Sequence, residues 1–199
     1  MKTVFIHPER CVGCKGCEFA CAVEHSRSRD AVLALSEHPL PRTGIHVRPG
    51  AECNSFFPNR CRHCNPAPCQ DGCPTAAITR NAEYDVVLVD PDKCIACAMC
   101  AVMCPFDVIT FHPWNGSGND NPLSRVVATK CDGCVTSLEQ GKMPACVDAC
   151  HSNALIFGEL NDLIEAEQIR QSVLATPDVR YRPRLPDTIA AWRGYCVRQ

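Results

Sequence analysis

A run of four cysteines near the middle of the chain follows a spacing suited to redox chemistry. Cys94, Cys97, Cys100 and Cys104 are spaced C-x2-C-x2-C-x3-C, and Pro105 follows directly. Each two-residue gap lets the backbone turn and aim the next thiolate at a common centre, while the fourth cysteine begins a helix that leaves the loop. This full run is typical of a cubane [4Fe–4S] cluster, with the fourth cysteine ligating the neighbouring cluster. The sequence therefore predicts a centre that transfers electrons.

The same spacing, with variations, occurs three more times. Between residues 11 and 21 it is repeated unchanged, although Ala22 stands where the proline would be. The second motif reads C-x2-C-x4-C-x3-C-P and the last reads C-x2-C-x11-C-x3-C. Sixteen of the eighteen cysteines thus fall into four complete sets, which predict four [4Fe–4S] clusters. The first, second and fourth sets are Cys11, Cys14, Cys17 and Cys21; Cys61, Cys64, Cys69 and Cys73; and Cys131, Cys134, Cys146 and Cys150.

Zinc is the alternative metal, because four sets of four cysteines could each hold one tetrahedral ion. Structural zinc sites usually pair two C-x2-C units across a longer spacer, whereas here three cysteines twice fall within seven residues. The spacing therefore favours iron–sulfur clusters over a structural zinc protein. All four sets are complete, so no iron is left open for a substrate, and the sequence has no Gly-rich phosphate loop or nucleophile elbow. We expect a non-catalytic chain that carries electrons.

The composition narrows the classes of partner and compartment. The formal net charge is −2, which gives no electrostatic case for binding nucleic acid. No apolar run approaches the roughly 18 residues needed to span a bilayer. The N-terminal residues contain neither an apolar signal segment nor a twin-arginine pair, and the cysteines are tightly clustered, so we expect a reduced, cytoplasmic protein. A subunit of this kind can still be exported with a partner, or held peripherally at a membrane through one.

Short strands and helices are predicted around the cysteine motifs. Residues 31–60 form an ordered crossover with several prolines, and residues 113–125 form a surface loop. The last twenty residues are an arginine-rich tail, either a docking arm or a segment laid over the protein's own surface. The predicted strands are 2–7, 45–48, 85–90, 106–111, 126–129 and 154–157, and the predicted helices are 18–25 and 161–175.

Two histidines lie beside motif cysteines, and two cysteines fall outside the four sets. His63 lies within the second motif and His151 follows the fourth, so either could tune a cluster through a hydrogen bond. The simpler interpretation is that both are ordinary exposed or capped histidines. Cys53 and Cys196 are interpreted as free buried thiols rather than as a fifth metal site or a disulfide.

The order of the four motifs, with the long gap in the last, resembles that of four-cluster ferredoxin-like electron-transfer subunits over residues 2 to about 160. Such subunits serve molybdenum or tungsten oxidoreductases, formate dehydrogenases, membrane hydrogenases and carbon monoxide dehydrogenase. Residues 17–26 are most similar to the iron–sulfur subunit of carbon monoxide dehydrogenase. The segments that carry the wider resemblance are Cys61-Arg-His-Cys64 with Pro68-Cys69, Cys94-Ile-Ala-Cys97, Lys130-Cys-Asp-Gly-Cys134 with Pro144-Ala-Cys-Val147, and Ala154 to Gly158.

The resemblance implies an α+β fold, a duplicated dicluster ferredoxin-like module with short antiparallel strands, small helices and long loops. The four-cluster domain would span residues 1–160, followed by a C-terminal helix and tail over 161–199. The first motif would pair with the fourth and the second with the third, each fourth cysteine serving its partner. The implied ligand sets are Cys11, Cys14, Cys17 and Cys150; Cys61, Cys64, Cys69 and Cys104; Cys94, Cys97, Cys100 and Cys73; and Cys131, Cys134, Cys146 and Cys21.

The resemblance also implies the role and the partners of the chain. It would relay electrons from a catalytic oxidoreductase, carbon monoxide dehydrogenase, to a protein acceptor such as a hydrogenase. The alternative is the polyferredoxin subunit of a tungsten aldehyde oxidoreductase or of a molybdenum or tungsten formate dehydrogenase. In each case the protein would contribute ligation, spacing and tuning of potential. The arginine-rich tail is not part of the shared core, so nothing about it carries over.

Overall fold

The computed structural model describes residues 2–114 and 125–175. Within them short strands and helices surround the cysteine loops, so the chain is an α+β protein, as expected. The strands are β1 (Lys2–Ile6), β2 (Ile45–Pro49), β3 (Phe56–Arg60), β4 (Ile78–Asn81), β5 (Val86–Val89), β6 (Thr110–Trp114), β7 (Arg125–Thr129) and β8 (Leu155–Glu159). The helices are α1 (Gly16–Glu24), α2 (Ala31–Ala34), α3 (Pro68–Asp71), α4 (Met99–Val102), α5 (Val135–Glu139), α6 (Ala145–Asp148) and α7 (Leu160–Ala175).

The strands pair into two-stranded antiparallel sheets. Within the described residues, β2 pairs with β3, β4 with β5 and β6 with β7, each between neighbours in sequence. The pair of β1 with β8 instead joins distant parts of the chain, and Ile6 lies opposite Leu155. Cys11 follows β1 and Cys150 precedes β8, so this pair brings the first motif beside the fourth.

Helix α1 has a local reason for both its start and its orientation. Lys15, directly before it, has a left-handed backbone with a φ of 58°, which turns the chain sharply out of the cysteine loop. Cys17 and Cys21 are four residues apart and therefore lie on one face of the helix, and both are buried. Helix α1 packs against α6, which carries Cys146. The first and fourth motifs thus also meet through their helices.

The cysteines belong to two small apolar cores. One core contains Val4, Ile45 and other buried side chains together with cysteines of the first and fourth motifs. The other contains Val87 and Val108 together with cysteines of the second and third motifs. Cys131, although it belongs to the fourth motif, lies in this second core. The fourth motif therefore contributes cysteines to both cores.

Strands β3 and β6 differ from the prediction for identifiable reasons, and β4 is a further strand that was not predicted. Strand β6 begins at Thr110 rather than at residue 106, because Asp107 has a left-handed backbone with a φ of 49° within a turn after the third motif. Strand β3 was not predicted, since Pro58 and Asn59 are unfavourable in strands. It forms because it needs only one neighbour, β2, and Pro58 is fully buried against the core.

The C-terminal helix α7 begins at Leu160, one residue before the predicted start, and ends at the predicted Ala175. Of the predicted loop over 113–125, the first two residues lie in β6 and the last in β7, while residues 115–124 lie outside the described residues, as does the arginine-rich tail. None of the helices described is long and apolar enough to cross a membrane. The internal duplication and the boundary at residue 160 remain predictions.

Candidate metal centres

Four thiols from the first and fourth motifs line one cavity, which we call the first site: Cys11, Cys14, Cys17 and Cys150. The loop turns at Gly13, whose φ is +72°. A Cβ added to Gly13 would lie 2.7 Å from the ring of Phe56, so glycine is needed both for the turn and for space. Cys14 is exposed, and this site therefore has one edge at the surface.

Four thiols from the second and third motifs line another cavity, the second site: Cys61, Cys64, Cys69 and Cys104. His63 and Lys130 line the same cavity. The amide of His63 donates a hydrogen bond to Cys61 Sγ at 3.4 Å. Burial raises the pKa of the Cys61 thiol, but the nearby imidazole of His63 and the charge of Lys130 outweigh it, so the net shift of this pKa is downward.

The remaining thiols of these two motifs line a third cavity, the third site: Cys73, Cys94, Cys97 and Cys100. Ala96 and Ala98, on either side of Cys97, have left-handed backbones with φ values of 57° and 62°. Such conformations are uncommon for residues with a Cβ, and here they wrap the loop tightly around the cavity. Cys97 is exposed, so the third site also has an edge at the surface.

The last four cysteines form the fourth site, and all of them are buried: Cys21, Cys131, Cys134 and Cys146. The amide of Gly44 donates to Cys21 Sγ at 3.3 Å, and a Cβ added to Gly44 would lie 2.6 Å from Cys131 Cα. Gly44 therefore lies in contact with both cysteines. Burial raises the pKa of the Cys146 thiol; the charge of Arg60 opposes this shift, whereas the neighbouring thiols add to it.

The donors at these sites fit [4Fe–4S] clusters. Each of the first three sites is a cavity bordered by four thiols that come from two motifs. Among the described residues, no three His, Cys, Asp or Glu side chains converge closely enough to hold a single metal ion. Amides also donate to sulfur at 3.4 Å in the third and fourth sites, from Ala128 to Cys94 and from Gly133 to Cys131. Such hydrogen bonds are typical of cluster ligands.

An ion pair that the sequence analysis did not find ties the first motif to the fourth. His25 Nε2 lies 3.1 Å from Asp132 Oδ2, and His25 Nδ1 donates to the carbonyl of Cys21 at 2.7 Å. Both ring nitrogens face acceptors, so the ring carries both protons and a positive charge. Hydrogen bonding to Asp132 raises the pKa of His25 to about 12, and the pKa of Asp132 is lowered to about 2. The pair could not be predicted from the sequence, because His25 and Asp132 are more than a hundred positions apart and no local pattern links them.

The other residues singled out from the sequence lie in different environments. His63 is buried, and its Nδ1 accepts a hydrogen bond from the amide of Val87 at 3.0 Å, so it is not an ordinary exposed histidine. His151 is exposed. The interpretation of Cys53 as a free buried thiol is wrong, because this residue is exposed and disulfide-bonded. It lies in the turn between β2 and β3, away from the cores. Cys196 lies outside the described residues.

Comparison with known proteins agrees with this arrangement. Residues 53–160, a little over half of the chain, match the family of 4Fe-4S dicluster domains. The chain belongs to this family. Protein NrfC of Escherichia coli K12 is 37% identical over 183 residues, which cover 89% of this chain and 73% of that protein. Electron transport protein HydN of the same strain is 37% identical over 172 residues, covering 83% and 93%. Thiosulfate reductase electron transfer subunit PhsB of Salmonella typhi is 35% identical over 169 residues, covering 80% and 77%.

Family membership identifies the cofactor. The chain is a [4Fe–4S] protein, and its four complete cysteine sets accommodate four clusters. The resemblance to iron–sulfur electron-transfer subunits is thereby confirmed at the level of the family. None of the three relatives' names mentions carbon monoxide dehydrogenase, so the narrower resemblance of residues 17–26 remains a prediction.

Proposed function

We propose that this chain is the electron-transfer subunit of an oxidoreductase complex, in which sixteen cysteines hold four [4Fe–4S] clusters and connect a catalytic partner to a protein acceptor. When bound, each cluster takes up and releases one electron. The observation that carries the proposal is the distribution of exposure: Cys14 of the first site and Cys97 of the third are exposed, whereas the cysteines of the fourth site are buried. Electrons can therefore enter at one exposed edge and leave at the other.

The ligand assignment is part of this proposal. Each site would be closed by four thiolates, three from its own motif and one from the partner motif, as the lining of the first three cavities suggests. A site with four protein ligands has no open position for a substrate. The chain is not itself an enzyme, and neither are HydN and PhsB, an electron transport protein and an electron transfer subunit by name.

A catalytic partner is expected because PhsB is named as a subunit of thiosulfate reductase. For this chain we propose carbon monoxide dehydrogenase as the donor, and a hydrogenase or similar protein as the acceptor. The support is the resemblance of residues 17–26, which form most of α1 and its C-terminal end. This helix exposes Phe19 by 47% next to the first site, where a donor could make contact. The alternatives are a tungsten aldehyde oxidoreductase and a molybdenum or tungsten formate dehydrogenase.

We further propose that the complex is cytoplasmic, with any membrane attachment made through a partner. The four-cluster domain would comprise residues 1–160, with the C-terminal helix and tail as an addition to it. Helix α7 is compatible with that division, because it follows β8 directly and none of its residues is buried.

Anaerobic mixing experiments test the proposed donor. The oxidised holoprotein is combined with carbon monoxide dehydrogenase under CO, and the visible absorption of the clusters is followed. Rapid bleaching that requires CO and both proteins is the expected result. Bleaching only by an aldehyde with its tungsten enzyme, or by formate with its dehydrogenase, would replace the donor and keep the electron-transfer role. Metal analysis that finds stoichiometric zinc instead of iron would overturn the role itself.

A further inference from the structure

A basic residue directly precedes the first cysteine of each motif: Arg10, Arg60, Lys93 and Lys130. Their environments differ. Arg60 and Lys130 are 4% and 9% exposed, whereas the side chain of Lys93 is 60% exposed. Cations are rarely buried unless they are paired or hydrogen-bonded, because burial removes them from water. The contacts that the two buried cations make therefore indicate the role of these side chains.

Each of the two buried cations is next to one site in the sequence but contacts the other site in space. Arg60 is the chain neighbour of Cys61 in the second site, yet its Nη2 donates to Cys131 Sγ in the fourth site at 3.4 Å. Lys130 is the chain neighbour of Cys131, yet its side chain lines the cavity of the second site. Its Nζ is held by the carbonyls of Val87 and Cys131. Both cations therefore lie where the second and fourth sites adjoin.

His63 contributes a third donor at the same place. Its Nδ1 accepts from the amide of Val87, so the ring proton is on Nε2. Neither His63 Nε2 nor Arg60 Nε has a hydrogen-bond partner among the described residues, although both atoms are buried. Buried donors without a partner are uncommon in proteins. Because His63 lines the second site and Arg60 contacts the fourth, both donors fit positions that face the sulfur of a bound cluster.

We propose that Arg60 and Lys130, together with the neutral donor His63, form a positively charged junction that raises the reduction potentials of the second and fourth sites above those they would have if the two cations were neutral. Reduction adds a negative charge to a site, and a buried cation a few ångströms away stabilises that charge strongly because the surroundings are poorly polarisable. The junction also lets two adjacent sites hold electrons despite their mutual repulsion. Lys93, exposed to water beside the third site, is screened and has no such effect.

The junction makes the reduction potential vary along the electron path, with higher values at the second and fourth sites. Arg60 joins the second site to the fourth, and each of these draws on the same two motifs as a site with an exposed edge, the third and the first respectively. A raised potential at the second and fourth sites therefore holds electrons inside the protein until an acceptor docks. This inference rests on the proposed function, since it requires clusters at these sites. It goes further by assigning the potentials of particular sites to particular side chains.

The test is an EPR-monitored redox titration of anaerobically purified holoprotein in three variants: Arg60→Gln, Lys130→Gln and, as the matched control, Lys93→Gln. All three changes remove one positive charge from the residue before a motif. For each buried residue we expect the ratio of reduced to oxidised cluster, at a fixed potential, to fall at least tenfold for one of the four steps. That change corresponds to a downward shift of about 59 mV in a one-electron couple. Lys93→Gln should leave all four steps in place.

Iron analysis and a charge-conserving variant distinguish an electrostatic role of the buried cations from a structural one. Arg60→Lys should restore most of the lost potential, which a purely structural role would not predict. Equal potentials in the wild type and both buried-residue variants, with iron content unchanged, would overturn the junction while leaving the proposed function intact. An equal shift in Lys93→Gln would overturn it too, and so would loss of iron from both Arg60→Gln and Lys130→Gln, since the cations would then be needed for assembly. Absence of iron from the wild type would instead contradict the proposed function.

Discussion

The imidazole of His25 and the carboxylate of Asp132 lie 3.1 Å apart and join the end of helix α1 to the loop of the fourth motif. Both residues also bind the backbone beside a cysteine of the fourth site: His25 donates to the carbonyl of Cys21, and Asp132 accepts from the amide of Cys134 at 2.9 Å. Cys21 comes from the first motif and Cys134 from the fourth. The ion pair therefore holds together two parts of one site that are over a hundred residues apart in sequence.

Replacing His25 by Gln should lower the free energy of unfolding by about 1 kcal/mol near pH 6, because the pair is partly exposed and therefore partly screened. The pKa of His25 is raised to about 12 in the folded protein, so its contribution is complete below the unfolded value of about 6.5 and declines as the pH rises toward 12. The cost of the substitution should accordingly be smaller at pH 9 than at pH 6. Anaerobic urea unfolding at the two pH values measures this difference.

A matched control for that experiment is His38→Gln, which removes an exposed histidine. It should change the unfolding midpoint little at either pH. A cost for His25→Gln that stays constant or grows between pH 6 and pH 9 would contradict the charged pair. Asp132 adds an acid limit, since its lowered pKa of about 2 means that the contribution is lost only as the pH falls below about 4.

Substituting Gly44 by Ala should remove the fourth cluster selectively. The added methyl group would lie 2.6 Å from Cys131 Cα, a contact with backbone that cannot move aside without displacing the ligand loop. We expect iron to fall from about 16 to about 12 atoms per chain. Gly16→Ala is the control, because its added methyl group would meet nothing closer than 3.6 Å. Full iron content in Gly44→Ala would show that the loop accommodates the change.

The motif spacing predicts which cysteines of each motif share a cluster, because each short gap restricts the directions in which neighbouring thiols can point, and this assignment stays a prediction. Strands such as β5 were also predictable, since Val86–Val89 is a continuous apolar run between turns. The contacts between motifs were not predictable from the spacing. Gly44, Arg60 and His25 act through residues distant in sequence, and a single sequence holds no local pattern for such pairs. Burial of Arg60 was likewise hidden, because Lys93 occupies the equivalent position and is exposed.

If each fourth cysteine serves the partner motif's site, replacing it should perturb the cluster of the partner motif and spare that of its own motif. Cys104 lines the second site and Cys73 lines the third, although each lies in the opposite motif. Cys104→Ser should therefore perturb the cluster held by Cys61 and leave the one held by Cys94 unchanged, because a serine hydroxyl is a poorer ligand for iron than a thiolate. Cys73→Ser should have the reverse effect. Iron-specific anomalous density would decide the matter, and density that puts Cys104 on the same cluster as Cys100 would refute the exchange.

The disulfide at Cys53 makes a chemical prediction. Exposed thiols react readily with iodoacetamide, but a sulfur in a disulfide does not react until it is reduced. In holoprotein purified without reductant, the peptide containing Cys53 should be unmodified, and peptide mapping should identify its partner. Alkylation without prior reduction would contradict the bond. Because disulfides persist mainly in oxidising compartments, a stable bond would also argue against the expected cytoplasmic location.

The surface around the third site is apolar as well as exposed. Ile95, Met99 and Val102 are 63%, 44% and 78% exposed, and they lie in the chain on either side of the exposed Cys97 or in helix α4 after it. Exposed apolar side chains grouped in this way are typical of protein interaction sites. None of these three side chains was singled out from the sequence as a contact for a partner.

Changing Val102 to Lys should slow electron exchange with the partner that docks at the third site, because a buried ammonium group would have to lose its water at the interface. We expect the rate constant at limiting partner concentration to fall about tenfold, which corresponds to about 1.4 kcal/mol of lost interaction. The control is Val32→Lys in helix α2, where the valine is 74% exposed against 78% for Val102. Stopped-flow bleaching and reoxidation of the clusters measure the two directions separately. Equal rates for both variants, with unchanged reduction potentials, would mean that partners approach elsewhere, whereas slowing of only one direction would identify whether donor or acceptor binds beside Cys97.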